Sequence, residues 1–171
     1  MMNQPEVWLR GPLDGIPAEL QPVAHAVKQA QEEIHAVMTD FPADLLWEKP
    51  LGMASPGFHL LHIAGVLDRM VTYAKGETLS ESQFDYLRKE GGPIAGFTSR
   101  NLWEKLDSQM DDFLAFVAQL EPKSLADYRS VGRANLPSTV GGLVFHAAEH
   151  TQRHVGQLLV TAKVVQSSGL K

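Results

Sequence analysis

The sequence predicts an all-α fold, a four-helix bundle, from three observations. Apolar residues recur at three- and four-residue spacing over four long stretches. Capping or breaking residues bound each stretch. The sustained apolar–polar alternation that marks a strand is scarce. A chain of 171 residues is the length of one domain, spanning 1–171, with enough chain for a sizeable core.

Residues 1–16, rich in Pro and Gly, read as an extended N-terminal arm with Trp8 and Leu9 as anchors. The first helix is expected from Pro17 to Thr39, on the recurrence of Leu20, Val23, Ala24, Val27, Ala30, Ile34 and Val37. Leu45-Leu46-Trp47 reads as a short helical turn. Ser55-Pro56 opens the second helix as N-cap and first helical residue, and Gly76 stops it after Lys75. A long connection covers residues 76–97, with a short helix over Ser80–Lys89. The third helix starts at Thr98 or Ser99 and carries the stripe Leu102, Leu106, Met110, Leu114 and Val117. Glu121-Pro122 ends it, and residues 122–137 form a second long connection in which no sheet is assigned. Ser138 caps the fourth helix, expected to run to Val165.

Composition excludes several classes of function. The formal net charge is −5 and no stretch is dense in Lys and Arg, so nucleic acid is not expected as a partner. The absence of cysteine removes disulfides, thiolate metal ligands and a cysteine nucleophile. The N-terminal ten residues lack the pattern of a secretory signal, and no apolar run approaches the ~20 residues of a membrane span. These readings fit a cytoplasmic protein with no membrane partner.

Five of the seven histidines fall in two short runs. His146, His150 and His154 are spaced i, i+4, which on a helix returns to the same face roughly 40° round. His59 and His62 lie far upstream, about 60° apart on the wheel. Neutral imidazole is a good ligand for zinc, nickel and related divalent metals, and bundles build metal sites between facing helices. His62 shares a face with Phe58, Leu61 and Val66, whereas His59 lies nearer the edge. His62 is therefore the expected ligand from the second helix. On the fourth helix His150 is central, and spacing leaves open whether His146 or His154 joins it. Glu149, inside His146-Ala-Ala-Glu149-His150, is placed to hold a histidine's other nitrogen and fix its tautomer. Gly156 either lets a helix or substrate approach the site or relieves helix crowding. His25 and His35 read as structural or solvent-facing.

The run Ser55-Pro-Gly-Phe-His-Leu-Leu-His62-Ile-Ala, the pair Asp68-Arg69, and Glu149-His150-Thr-Gln-Arg-His154-Val-Gly156-Gln157 resemble the DinB-like family, which includes the YfiT-type proteins. The likeness covers about residues 18–165. It implies a DinB-like four-helix bundle with long inter-helix connections, holding a divalent metal, zinc or nickel, through His62, His150 and His154. His59, His146 and Glu149 then stand around those ligands. Related proteins are often dimers and include thiol S-transferases that use a low-molecular-weight thiol, a thiol-dependent isomerase and metal-dependent hydrolases. The position before Asp68, acidic in many relatives, is Leu67 here.

Three histidines leave coordination positions open for water or substrate, whereas closed structural sites use four protein ligands. The expectation is a divalent-metal-dependent enzyme, a thiol S-transferase or hydrolase acting on a small molecule as a homodimer. The competing expectation is a non-catalytic metal or small-ligand binding bundle in stress response. No catalytic residue is assigned. Residues 76–97 and 122–137 are expected to shape the pocket, with Arg69, Arg153 and Tyr73 in reach of an anionic substrate.

Overall fold

The computed structural model describes residues 4–94 and 98–168. Residues 1–3 of the expected arm and 95–97 of the first long connection lie outside the described residues. Among the described residues five α-helices follow one another: α1 (Gln21–Met38), α2 (Pro56–Ala74), α3 (Glu81–Lys89), α4 (Ser99–Ala118) and α5 (Val140–Ser168). The four long ones form the bundle. α2 packs against both α4 and α5, and α1 packs against the same two helices from its own side.

The helix boundaries follow from local chemistry. Ser55 Oγ accepts the Phe58 N–H at 3.2 Å, with Pro56 at the first helical position of α2. Past its end, Gly76 adopts φ +80°, a conformation glycine takes without a Cβ penalty. Ser80 with Gln83 and Thr98 with Asn101 form reciprocal caps at the starts of α3 and α4. At α5 the expected cap is corrected. Thr139 Oγ1, not Ser138, accepts the Gly142 N–H at 3.0 Å, and the helix continues beyond Val165 to Ser168.

The core is built from the inward faces of the long helices. Leu102, Leu106, Met110, Phe113 and Val117 are buried on α4. Phe113 replaces Leu114 in the expected stripe, because the buried face of α4 sits one residue to the side of a strict four-residue count. α2 is buried over most of its circumference, from Leu60 and Leu61 through Ile63, Ala64 and Leu67, since it meets α3, α4 and α5 together.

Two further expectations are corrected. Residues 122–137 contain a β-hairpin where no sheet was assigned. β1 (Tyr128–Val131) pairs antiparallel with β2 (Leu136–Thr139), Val131 opposite Leu136. Each strand has only four residues and the second contains Pro137, so alternation has no length in which to show. Gly132 and Asn135 supply the positive φ values of the turn. Arg129 Nε donates to the Ala74 carbonyl at 2.7 Å and fastens the hairpin to the end of α2.

In the arm, Val7 rather than Trp8 or Leu9 is the buried anchor; those two are 61% and 56% exposed. Within the arm, Val7–Arg10 forms a 3-10 turn. The Val7 N–H donates to Gln29 Oε1, and Arg10 grips Glu32 through two nitrogens at 2.7 and 2.8 Å. Among the described residues, no helix is long and apolar enough to cross a membrane.

Candidate metal centre

α2 and α5 bring the histidines together because they run antiparallel. His59 meets His154 and His62 meets His150, so a step of three residues up one helix matches four residues down the other. One ring nitrogen from each of His62, His150 and His154 lies within 4.8 Å of the other two. His62 Nε2 and His150 Nε2 are 3.0 Å apart. Two nitrogens sharing a tetrahedral zinc at its usual bond length would stand about 3.3 Å apart, so this pair needs little adjustment to share an ion. The His154 ring centroid lies 4.6 Å from that of His62 and 4.5 Å from that of His150. All three residues are half-buried, open enough for a small molecule to reach the group.

The electrostatics keep the imidazoles in their ligand form. Burial, reinforced by His62, His146 and Arg153, pushes the His150 pKa down to about 4. Burial and the neighbouring His62, His150 and His59 push His154 down to about 3. His59 is pushed down to about 4, by burial first and His62 second. At neutral pH these three rings are neutral. Among the described residues, His150 Nδ1 is buried with no hydrogen-bond partner. An all-nitrogen donor set with an orphaned buried nitrogen fits a borderline divalent cation such as zinc or nickel.

The surrounding residues are arranged differently from the expectation. His59 is not at the edge: it is 2% exposed, and its Nδ1 lies 3.0 Å from His154 Nδ1. A single-face wheel misplaces it because α2 is covered on several sides. Phe58 stacks on His62 with ring centroids 5.1 Å apart. His146 is half in solvent; its ring stands 5.2 Å from that of His150, and it does not belong to the three-histidine group. Glu149 acts on His150 through its charge, as the smallest of the causes that set that pKa. It pairs with Arg153 and lies 3.5 Å from His146 Nδ1. A Cβ on Gly156 would meet nothing within 4 Å, so crowding within the chain does not account for that glycine. His25 and His35 are structural, one beside the Gly11 carbonyl and the other edge-on to Trp103.

The carboxylate that touches the cluster is Glu90, which the sequence reading missed. It is 3% exposed, with Oε2 2.7 Å from His62 Nδ1 and Oε1 2.6 Å from Arg69 Nη1. Arg69 is thereby engaged inside the protein rather than offered to a substrate. Two signals pointed this way: an arginine within an apolar helix, which needs a buried partner, and Gly65 between His62 and Arg69. Of the two connections, residues 76–97 supply Glu90 to the site. Residues 122–137 do not reach it. Their hairpin instead helps line a cleft of about 540 Å³ with Tyr73, Gly76, Phe84, Arg129 and Arg133. Tyr73 is eleven residues beyond His62 on α2, about 16 Å along the helix axis, so that cleft is not the histidine site.

The model of the DinB superfamily matches residues 26–158. The chain belongs to the DinB superfamily. Its fold is also that of two solved structures. A conserved protein from Enterococcus faecalis aligns with TM-score 0.71 at 15% identity, over 86% of this chain and 97% of that one. A DinB-like protein from Bacillus cereus ATCC 10987 aligns with TM-score 0.63 at 15% identity, over 86% and 90%. No match was found among curated protein sequences. In this DinB-superfamily bundle the three-histidine group lies between α2 and α5, and all three members fall inside the matched residues.

Proposed function

We propose that this chain is a divalent-metal-dependent enzyme in which His62, His150 and His154 hold zinc or nickel, and that it transfers a low-molecular-weight thiol to a small-molecule electrophile. Metal-assisted hydrolysis is the second reaction in line. The observation that carries the proposal is the group of three half-buried imidazole nitrogens within 4.8 Å, with no fourth protein donor in the group among the described residues. A site so built leaves room for an exchangeable ligand. When bound, the metal supplies Lewis acidity that makes a water or thiol easier to deprotonate. The protein's own part is to keep the ligands neutral by burial, to orient His62 through Glu90, and to leave one side of the cluster open. The thiol must come from outside, since the chain has no cysteine.

The test is metal content and turnover of tag-free protein. About one zinc or nickel per chain is expected, with thiol consumption that stops on chelation and returns on adding metal. Metal without turnover towards thiols, electrophiles or esters would favour the non-catalytic binding bundle. No metal at any stage would leave a bundle with incidental histidines.

We also propose a homodimer acting in the cytoplasm. Its support is the outer face of α5, where Phe145 and Val160 stand 65% and 63% exposed. A mass of twice 18.8 kDa by light scattering is expected, and a monomer at micromolar concentration would refute it.

A further inference from the structure

We infer that Glu90 is a positioning residue that fixes His62 in its Nδ1–H tautomer, so that Nε2 is left as a lone pair facing His150 and His154. The inference rests on the metal reading above and concerns how this chain prepares that site.

The two oxygens of Glu90 have separate partners. Oε1 accepts from Arg69 Nη1 at 2.6 Å and Oε2 stands 2.7 Å from His62 Nδ1. An ionised carboxylate accepts hydrogen bonds and donates none, so the proton between Glu90 and His62 sits on Nδ1. In the neutral imidazole, the form that can ligate a metal, the other nitrogen, Nε2, then carries no proton. It is the nitrogen that lies 3.0 Å from His150 Nε2. A carboxylate behind a ligating imidazole is the usual means of setting ring orientation and raising ligand basicity.

The surroundings are shaped to admit this carboxylate. Glu90 reaches α2 from just beyond the end of α3, 28 residues from His62. A Cβ on Gly65 would lie 2.2 Å from Glu90 Oε1, 2.7 Å from Arg69 Nη1 and 2.9 Å from the Tyr86 ring. A side chain at position 65 would push the carboxylate away from the α2 backbone. Tyr86 closes the far side, its hydroxyl donating to the Leu61 carbonyl at 3.1 Å. Anchoring a connection to α2 would need only the Arg69 contact. The second oxygen aimed at a cluster imidazole is what assigns the positioning role.

Glu90→Gln tests it because Arg69 decides which way the amide points. The Gln carbonyl faces the guanidinium, and the NH2 is left facing His62 Nδ1. His62 must then accept at Nδ1 and carry its proton on Nε2. The expected readout by 15N NMR of metal-free protein is an Nδ1–H tautomer in the wild type and an Nε2–H tautomer in E90Q. Zinc affinity, measured by competition with a chromophoric chelator, is expected to fall roughly 10–100-fold in E90Q. Gly65→Ala keeps the carboxylate but displaces it, and is expected to weaken zinc in the same direction.

A wild-type His62 protonated on Nε2 overturns the inference whether or not the variants fold. Wild-type zinc affinity in a folded E90Q overturns it as well, while leaving the three-histidine site standing. Failure of the wild type to take up zinc overturns the metal reading and this inference with it.

Discussion

Replacing His150 by alanine is expected to strip the metal from the protein while the helix around it stays intact. His150 is the hinge of the cluster: its Nε2 is 3.0 Å from His62 Nε2, and its ring is 4.5 Å from that of His154. Without it two donors remain, on different helices. Removing an outer partner of a ligand typically costs up to about 100-fold in metal affinity, and removing a ligand outright is expected to cost more. Stoichiometric metal should disappear, and metal-dependent turnover with it.

The cost to the fold should be small. Alanine is the best helix former, and the imidazole it replaces is only half-buried. Stability at neutral pH is expected to stay within about 1 kcal/mol of the wild type, read from chemical denaturation. His146→Ala is the matched control. It removes a histidine from the same helix four residues away, but one that is half in solvent and outside the group. It should keep its metal. Retention of one metal per chain by H150A, or equal loss in both variants, would contradict the assignment of ligands.

The contrast between His146 and His154, each four residues from His150, shows what could be read from the chain. Their i, i+4 spacing is identical, and spacing alone could not choose between them as partners of the cluster. The family resemblance chose His154, and the antiparallel pairing of α2 and α5 explains why. His154 faces His59 and His62, whereas His146 lies about two turns nearer the start of α5, where α2 presents no histidine. The four long helices were legible because each is amphipathic over many turns and bounded by caps that act locally. The hairpin was not, because eight strand residues with a proline among them carry no period.

Glu90 marks the limit of local reading. It sits between a short helix and Gly91-Gly92-Pro93, in a connection with no repeat to say which way it faces. Its partners, His62 and Arg69, are 28 and 21 residues away. Only the fold closes that distance. The chain nonetheless left a trace in Gly65, a helix-weakening residue in the middle of a buried helix. Gly156 looked like the more suggestive glycine because it follows the histidine motif, yet the space around it is open.

Metal-free protein is expected to lose stability as pH falls through the range in which free histidine titrates. His59, His150 and His154 have folded pKa values of about 4, 4 and 3, against an ordinary 6.5. Above 6.5 the rings are neutral in both states and contribute no slope. Below it the unfolded chain takes up protons that the folded protein refuses, so acidification favours unfolding down to the folded values. Each such proton is worth about 1.4 kcal/mol per pH unit at full effect. His59, at 2% exposure, should come nearest to that, and the half-buried His150 and His154 should fall short through solvent screening. Carboxylates add their own acid sensitivity below about pH 5, so the diagnostic window is 6.5 to 5. Urea midpoints across that window should fall in the wild type and fall less steeply in His59→Leu. Bound zinc should hold the rings in their neutral form until protons displace it, keeping the loaded protein more stable throughout the window. A wild-type stability that stays level from pH 6.5 to 5 would mean that these histidines are solvated and free to protonate. Such rings would lack the water-poor setting on which an activated thiol or water at this site depends.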